Sequence, residues 1–294
     1  MTKTAWVFPG QGSQAIGMGA DLFGLPEVKT KLEQAEAILG WSIAAICQSE
    51  DDKVSHTLYT QPCLYVIETI LADLLKARGQ QPDLVAGHSL GEYSALYTAG
   101  VFSFEAGLQL IKRRSELMDS ASDGMMAALL GFDRDQLEQH LHQTPDVVLA
   151  NDNNAVQVVI SGTPAAVETI LSQVKAKRAV KLNVSGAFHS PLMADAATAF
   201  EADLAAIEFT TAQIPVLSNV DPIPTTDAIA LKDRLRRQMT GTVRWREISL
   251  QLPEVSVGRV VEVGPGKILT GIIKRTCPDL LLENVSSMAD LPQT

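Results

Sequence analysis

The sequence predicts an α/β fold in which a large domain of buried strands and helices carries a small ferredoxin-like insert. Three observations predict it. Short apolar runs alternate with longer stretches of helical spacing along most of the chain. One such run, residues 84–86, enters a Gly87-x-Ser89-x-Gly91 turn and then a helix-forming segment from Leu90. Residues 124–186 read as β-α-β-β-α-β, the split βαβ pattern.

Each element has a local reason. Residues 4–8 are an apolar run closed by Pro9, a first buried strand. In the loop Gly10-Gln11-Gly12-Ser13-Gln14, two glycines free the backbone for close approach of a ligand. Residues 29–39 and 61–78 space their apolar side chains as helices do, with Gln61-Pro62 at the start of the second, where proline is tolerated. Gly79 to Pro82 turns the chain into the run at 84–86, and residues 104–118 are helical. The small unit has strands at 125–130, 147–150, 156–161 and 179–184. Its helices lie at 133–142 and 163–176, the second opened by Thr163-Pro164 as cap and first residue. The large domain resumes with a helical run to Ile207, a strand at 214–220 and a helix at 231–239. A strand at 259–263 and a helix at 268–274 follow, and the tail from Ser286 is expected to be loosely held. The domains are therefore 1–123 with 187–294, and 124–186.

Composition narrows the function. The 294 residues are 46% hydrophobic but only 5% aromatic, which suits a core of Ala, Val, Leu and Ile. A formal net charge of −10 argues against nucleic-acid binding, which needs clustered cations. Cys47, Cys63 and Cys277 form neither a disulfide framework nor a metal spacing, so free thiols in a reducing cytosol are expected. No apolar run approaches the roughly 20 residues of a membrane span. The N-terminus does not read as a signal peptide, and a cytoplasmic protein without a membrane partner is expected. Gly264-Pro265-Gly266-Lys267 lacks the spacing of a phosphate-binding loop.

The turn at Ser89 carries the chemistry. A serine on a tight strand-to-helix turn has its hydroxyl pushed outward, and the Leu90 N–H at the helix start points to the same spot. That supplies a nucleophile and an oxyanion donor together. Gln11 offers a second backbone donor from another strand's loop; an ordinary glycine-rich loop is the equal alternative. Arg113 and Arg114 lie about 100° apart on one helix, so one is solvated while the other can turn inward and needs an anion. Gln61 either faces the site or bridges loops. Of five histidines, His189 is the best-placed general base, in a loop where the large domain closes on its own site. His88 adjoins the nucleophile and is expected to point away. His140 and His142 lie two apart on a helix and read as solvated.

These residues add up to a family. The chain resembles the malonyl-CoA:acyl carrier protein transacylases of type II fatty acid synthesis over nearly its whole length. The resemblance rests on Phe8-Pro9-Gly10-Gln11-Gly12-Ser13-Gln14, Thr60-Gln61-Pro62, Gly87-His88-Ser89-Leu90-Gly91-Glu92-Tyr93, Arg114 and Gln157-Val158-Val159-Ile160-Ser161-Gly162. Further along it rests on Phe188-His189-Ser190, Ser218-Asn219-Val220-Asp221 and Glu262-Val263-Gly264-Pro265-Gly266-Lys267. It implies an α/β-hydrolase-like large domain with a ferredoxin-like insertion. It also implies Ser89 as nucleophile and His189 as base, with the backbone carbonyl of Gln238 orienting the imidazole. The oxyanion hole falls on the N–H groups of Gln11 and Leu90, and the carboxylate-binding arginine on Arg114. His88, Gln61, Asn151 and Phe188 line the substrate, Phe188 as a steric bar against larger acyl groups. Asn153-Asn154-Ala155-Val156 and the residues after Gln238 depart from the family pattern.

The implied substrate is malonyl-CoA, with no permanently bound cofactor and no metal. The implied partner is acyl carrier protein, whose phosphopantetheine thiol accepts the malonyl group from a malonyl-Ser89 ester in a ping-pong cycle. A monomer is expected. An acidic carrier needs a local basic patch on a chain of this charge. Lys175, Lys177, Arg178 and Lys181 form the densest cluster, Lys274 and Arg275 a second, and solvated lysines at a helix end are the alternative. The competing functions are a polyketide-synthase acyltransferase, a serine thioesterase or other hydrolase, and a non-enzymatic acyl-CoA-binding protein.

Overall fold

A computed structural model describes residues 2–121, 123–184 and 186–293. Its nine strands are β1 (Lys3–Phe8), β2 (Leu84–Gly87), β3 (Met125–Phe132), β4 (Val147–Asn154), β5 (Gln157–Gly162), β6 (Ala176–Lys181), β7 (Val216–Leu217), β8 (Val257–Val263) and β9 (Leu281–Val285). The helices are α1 (Lys29–Leu39), α2 (Ile43–Cys47), α3 (Thr57–Ala77), α4 (Gly91–Thr98), α5 (Phe104–Ser120), α6 (Arg134–Gln143), α7 (Pro164–Gln173), α8 (Ala194–Ala206), α9 (Ala228–Gln238), α10 (Trp245–Glu254) and α11 (Ile268–Thr276).

The strands make two sheets. One is parallel, in the order β7-β2-β1-β8-β9. A parallel sheet is covered on both faces, so its central strands are apolar throughout. In β1, Trp6 and Phe8 join the core built with α1 to α5, while Ala5 and Val7 join the opposite core with α10 and α11. The second sheet is antiparallel, in the order β4-β5-β3-β6, as the ferredoxin-like pattern requires. Its outer face packs Leu129, Val158 and Ile160 under α6 and α7. Its inner face turns Met126, Ala128 and Val159 to the large core. The α/β fold, with a parallel and a separate antiparallel sheet, is the one expected.

Several expected bounds are corrected. The strand expected at 214–220 is only Val216–Leu217. The chain leaves the sheet there because Asn219 turns to hydrogen-bond Ser89, Gly87 and Glu92. The second helix starts at Thr57, so Pro62 lies inside it rather than at its start. α7 ends at Gln173 and β6 begins at Ala176, three residues before the expected strand. Lys177, Arg178 and Lys181 thus lie on a strand, not at a helix end. β4 runs on through Asn151 to Asn154, a polar stretch that reads as loop in sequence. Its polarity is buried against partners: Asp152 pairs with Arg134, and Asn153 meets His88. Helices α2 and α10 and strand β9 are found without having been expected. The tail is anchored rather than loose. Asp290 accepts hydrogen bonds from Ser286 and Ser287, Met288 N–H donates to Asp21, and Leu291 is buried.

Candidate active site

The site is built on the turn between β2 and α4. Two glycines close it. A Cβ on Gly87 would lie 1.9 Å from the Gly91 backbone, and one on Gly91 would lie 2.1 Å from the Phe8 carbonyl oxygen. Between them Ser89 is held at φ 52°, a left-handed conformation that side chains rarely adopt. Such strain persists only where the surroundings over-determine it. Here Asn219 does so: its Oδ1 accepts from Ser89 N–H at 2.7 Å and its Nδ2 donates to Gly87 O at 2.5 Å.

Ser89 Oγ lies 2.8 Å from His189 Nε2. On the far side of the ring, His189 Nδ1 is 3.0 Å from Gln238 O and 3.1 Å from Gly241 O. Carbonyls only accept, so Nδ1 carries the proton and Nε2 presents its lone pair to the serine hydroxyl. No carboxylate is needed to fix the tautomer. Burial, and then the charge of Arg114, push the imidazole down to about 3. It is therefore neutral at physiological pH, the form a general base requires. His189 also holds positive φ, 58°. Ser185 lies outside the described residues.

Arg114 reaches in from α5 and is 1% exposed. Its Nη1 donates to Gln61 Oε1 at 2.5 Å; its Nη2 donates to Ser89 Oγ at 3.1 Å and to Gln238 Oε1 at 3.2 Å. The guanidinium lies 5.5 Å from the Tyr93 ring centroid. Its Nε is buried with no acceptor among the described residues. Arg113, its neighbour, points out to Glu116 and Asp203, as the helical offset requires.

A cavity of about 80 Å³ lies over Ser89, lined by Gln11, Leu90, Arg114, Phe188 and His189 among others. It adjoins a cleft of about 480 Å³ that shares Gln11, His88, Asn151, Leu182 and Val184 with it. The cleft runs between the loop after β1, the inner face of the small sheet and α11. Neither Gln11 N–H nor Leu90 N–H has a hydrogen-bond partner among the described residues.

The structure thus brings together Ser89, His189, Arg114, Gln238, Gln11, Leu90 and Phe188. Gln61 is different: it lines neither cavity and stands behind Arg114, between it and Met118. His88 lines both cavities, but its Nε2 is engaged by Asn153 Oδ1 at 2.9 Å and its ring lies 5.4 Å from Trp245. Asn151 lines both with a buried Oδ1 that has no partner among the described residues. Lys175, Lys177, Arg178 and Lys181 are outside the site, exposed, and Lys181 pairs with Glu168. Sequence reasoning missed Gly241 as the second carbonyl, Asn219 as the brace of the turn, and the side chain of Gln238. Asn219 had a signal in the motif that carries it; the other two had none. Among the described residues no group of three or more His, Cys, Asp or Glu could hold a metal ion, and no helix is long and apolar enough to cross a membrane.

Comparison with known proteins gives a consistent picture. The acyl transferase domain model matches residues 5–293. The malonyl CoA-acyl carrier protein transacylase of Synechocystis sp. is 61% identical over 289 residues, covering 98% of this chain and 99% of that protein. Its crystal structure matches with a TM-score of 0.96 over 98% of both chains. A Bacillus subtilis polyketide biosynthesis malonyl CoA-acyl carrier protein transacylase is 43% identical over 286 residues, 93% of this chain and 97% of that one. A malonyl-transacylase solved in complex with a type II polyketide acyl carrier protein matches with a TM-score of 0.92 at 36% identity, over 98% of this chain and 97% of that one.

Proposed function

The chain belongs to the acyl transferase family, among the malonyl-CoA:acyl carrier protein transacylases, and we propose that it moves malonyl groups from malonyl-CoA to acyl carrier protein through a malonyl-Ser89 ester, supplying fatty acid synthesis. The observation that carries the reading is the buried Arg114 guanidinium 3.1 Å from Ser89 Oγ. A hydrolase of simple esters has no use for a fixed cation beside its nucleophile. An acyl group ending in a carboxylate does, because a fork of donors holds it bidentately.

In the first half-reaction the malonyl carboxylate lies on Arg114. His189 Nε2 takes the Ser89 proton as Oγ attacks the thioester carbonyl. The oxyanion is met by the N–H groups of Gln11 and Leu90, each such donor being worth about 10²–10³ in rate. The tetrahedral intermediate collapses, the C–S bond breaks, and the imidazolium returns its proton to the CoA thiolate. In the second half the phosphopantetheine thiol of the carrier gives its proton to His189 and attacks the ester, and Ser89 leaves with that proton. A carboxylate on Arg114 offsets the positive charge that helps hold His189 low. The base therefore strengthens when the correct acyl group binds.

The remaining roles fit this cycle. Phe188 bounds the acyl pocket, Asn151 and His88 flank the entrance, and Gln61 holds Arg114 in place. Residues 124–186 act as the small domain and 1–123 with 187–294 as the large one, the cleft between them admitting the pantetheine arm. Two basic clusters lie on elements that lead into the lining of that cleft. β6, with Lys177, Arg178 and Lys181 after Lys175, runs into the lining residues Leu182 to Val184; α11, with Lys274 and Arg275, contributes Ile268 and Ile272. An acidic carrier docks across them. We assign the chain to the cytoplasm, as a monomer, with no permanently bound cofactor.

Intact-protein mass after mixing with malonyl-CoA tests the reading. The wild type should gain one malonyl group, Ser89→Ala none, and added carrier protein should discharge the adduct. No adduct would indicate a binding protein, and an adduct lost equally fast to water a hydrolase. Discharge by a polyketide carrier but not a fatty-acid carrier would move the chain to polyketide synthesis.

A further inference from the structure

Glu92, on the first turn of α4, is fully buried and takes no part in the cycle described above. Its Oε2 accepts from Asn219 N–H at 3.1 Å and from Gln238 Nε2 at 2.8 Å. Gln238 Nε2 donates a second hydrogen bond, to Ser89 O at 2.8 Å. With two acceptors facing its NH₂ group, this carboxamide has one workable orientation, Oε1 toward Arg114. Arg114 Nη2 donates to that oxygen at 3.2 Å. The main-chain carbonyl of the same glutamine faces His189 at 3.0 Å. One amide therefore connects a buried carboxylate to a buried guanidinium without the two touching.

We propose that Glu92 is the positioning residue and counter-charge for Arg114, acting through the Gln238 carboxamide, and that this relay sets how strongly the site distinguishes a carboxylate-bearing acyl group from an uncharged one. A buried charge without a partner is costly. In the unloaded enzyme Glu92 supplies the balancing charge, and Gln238 Oε1 occupies a donor that the substrate will claim. The incoming carboxylate must displace that amide oxygen and approach a second carboxylate behind it. The relay stabilises the empty site and weakens its grip on malonyl. Burial raises the Glu92 carboxyl, against hydrogen bonds from Gln238 and the Asn219 N–H and then the Arg114 charge; burial lowers Arg114, with Glu92 among the groups that oppose it.

This inference rests on the malonyl-Ser89 reading, and the experiment separates the two. Single-turnover acylation of Ser89 is followed by intact mass over a range of malonyl-CoA or acetyl-CoA concentrations. Glu92→Gln keeps an acceptor oxygen for Asn219 and Gln238 but removes the charge. The half-saturating malonyl-CoA concentration should fall about tenfold, the scale of one partly screened charge, with no gain in acetyl loading. Gln238→Met keeps the main-chain carbonyl but cuts the relay, and should shift malonyl saturation in the same direction. The double variant should go no further than the larger single, because both act through one chain of contacts. Equal changes for the two acyl-CoAs, unchanged malonyl saturation in Glu92→Gln, or additive effects would overturn the proposal. If Glu92→Gln does not fold, Gln238→Met carries the comparison alone. A wild type that never forms an adduct defeats the functional reading instead.

Discussion

Arg114 donates to the hydroxyl oxygen of Ser89, Nη2 to Oγ at 3.1 Å. The cation that should hold the far end of the substrate thus touches the atom that attacks its near end. In the unloaded enzyme that contact orients the hydroxyl so that its proton points to His189 Nε2, 2.8 Å away. It also fixes the reach of the site: the acyl group must be short for its carboxylate to meet Arg114 while its carbonyl meets Ser89.

Arg114→Ala should invert the acyl preference. Malonyl loading loses a buried, charge-assisted contact, and truncating one partner of such a pair typically costs 2–5 kcal/mol, so a loss of about 10²-fold is expected. Acetyl loading should rise, since an uncharged acyl group no longer sits against a buried guanidinium that it cannot pair. Loading rates with the two CoA esters check it; a parallel fall in both would show that Arg114 serves only the fold.

His189 should govern both rate and acid stability. Its pKa is depressed from 6.5 to about 3 in the folded protein, by burial and then by the charge of Arg114. Protonation therefore favours the unfolded chain. The stability held above pH 6.5 is lost progressively as pH falls from 6.5 toward 3. His189→Gln, which cannot titrate, should lose less thermal stability between pH 7 and pH 4 than the wild type. Its acylation rate should drop about 10²–10⁴-fold, and the wild-type acylation rate should show no step near pH 6.5.

Gly91→Ala should be poorly tolerated although the residue is remote from solvent and alanine favours helices. The added methyl group meets a main-chain oxygen of β1 at 2.1 Å, and backbone cannot swing aside as a side chain can. A destabilisation of about 3 kcal/mol or more is expected, read as a shift in the urea midpoint with an unchanged slope.

Reversing the charge of Lys177, Arg178 and Lys181 to Glu should raise the Michaelis constant for carrier protein about tenfold and leave loading from malonyl-CoA unchanged. Rim charges act mainly on encounter. An unchanged constant would leave the α11 cluster, Lys274 and Arg275, as the docking side.

How much of this was legible follows from which interactions are local. The strand–turn–helix at Ser89 is readable because the glycines at 87 and 91 and the apolar run before them are neighbours in sequence. That only one of Arg113 and Arg114 can turn inward follows from their angle on one helix; the resemblance to the family singled out Arg114. The separate antiparallel sheet was readable from its strand and helix order. β4 and β7 were misjudged for one reason. Asp152, Asn153 and Asn219 are polar residues that stay buried because partners from distant segments, Arg134, His88 and Glu92, satisfy them. No window of sequence contains those partners.

By itself, then, the sequence determined the nucleophile's local geometry, the class of the fold and, through the order of its motifs, the family. Those depend on short-range sterics and on apolar periodicity, which neighbouring residues encode. Tertiary structure alone decided how His189, 100 residues from Ser89, is held by two carbonyls and pushed down by burial and Arg114. It alone decided that Gln238 links Glu92 to Arg114. Burial, field and hydrogen-bond direction arise from which surfaces the folded chain presses together, and a linear order of residues does not contain them.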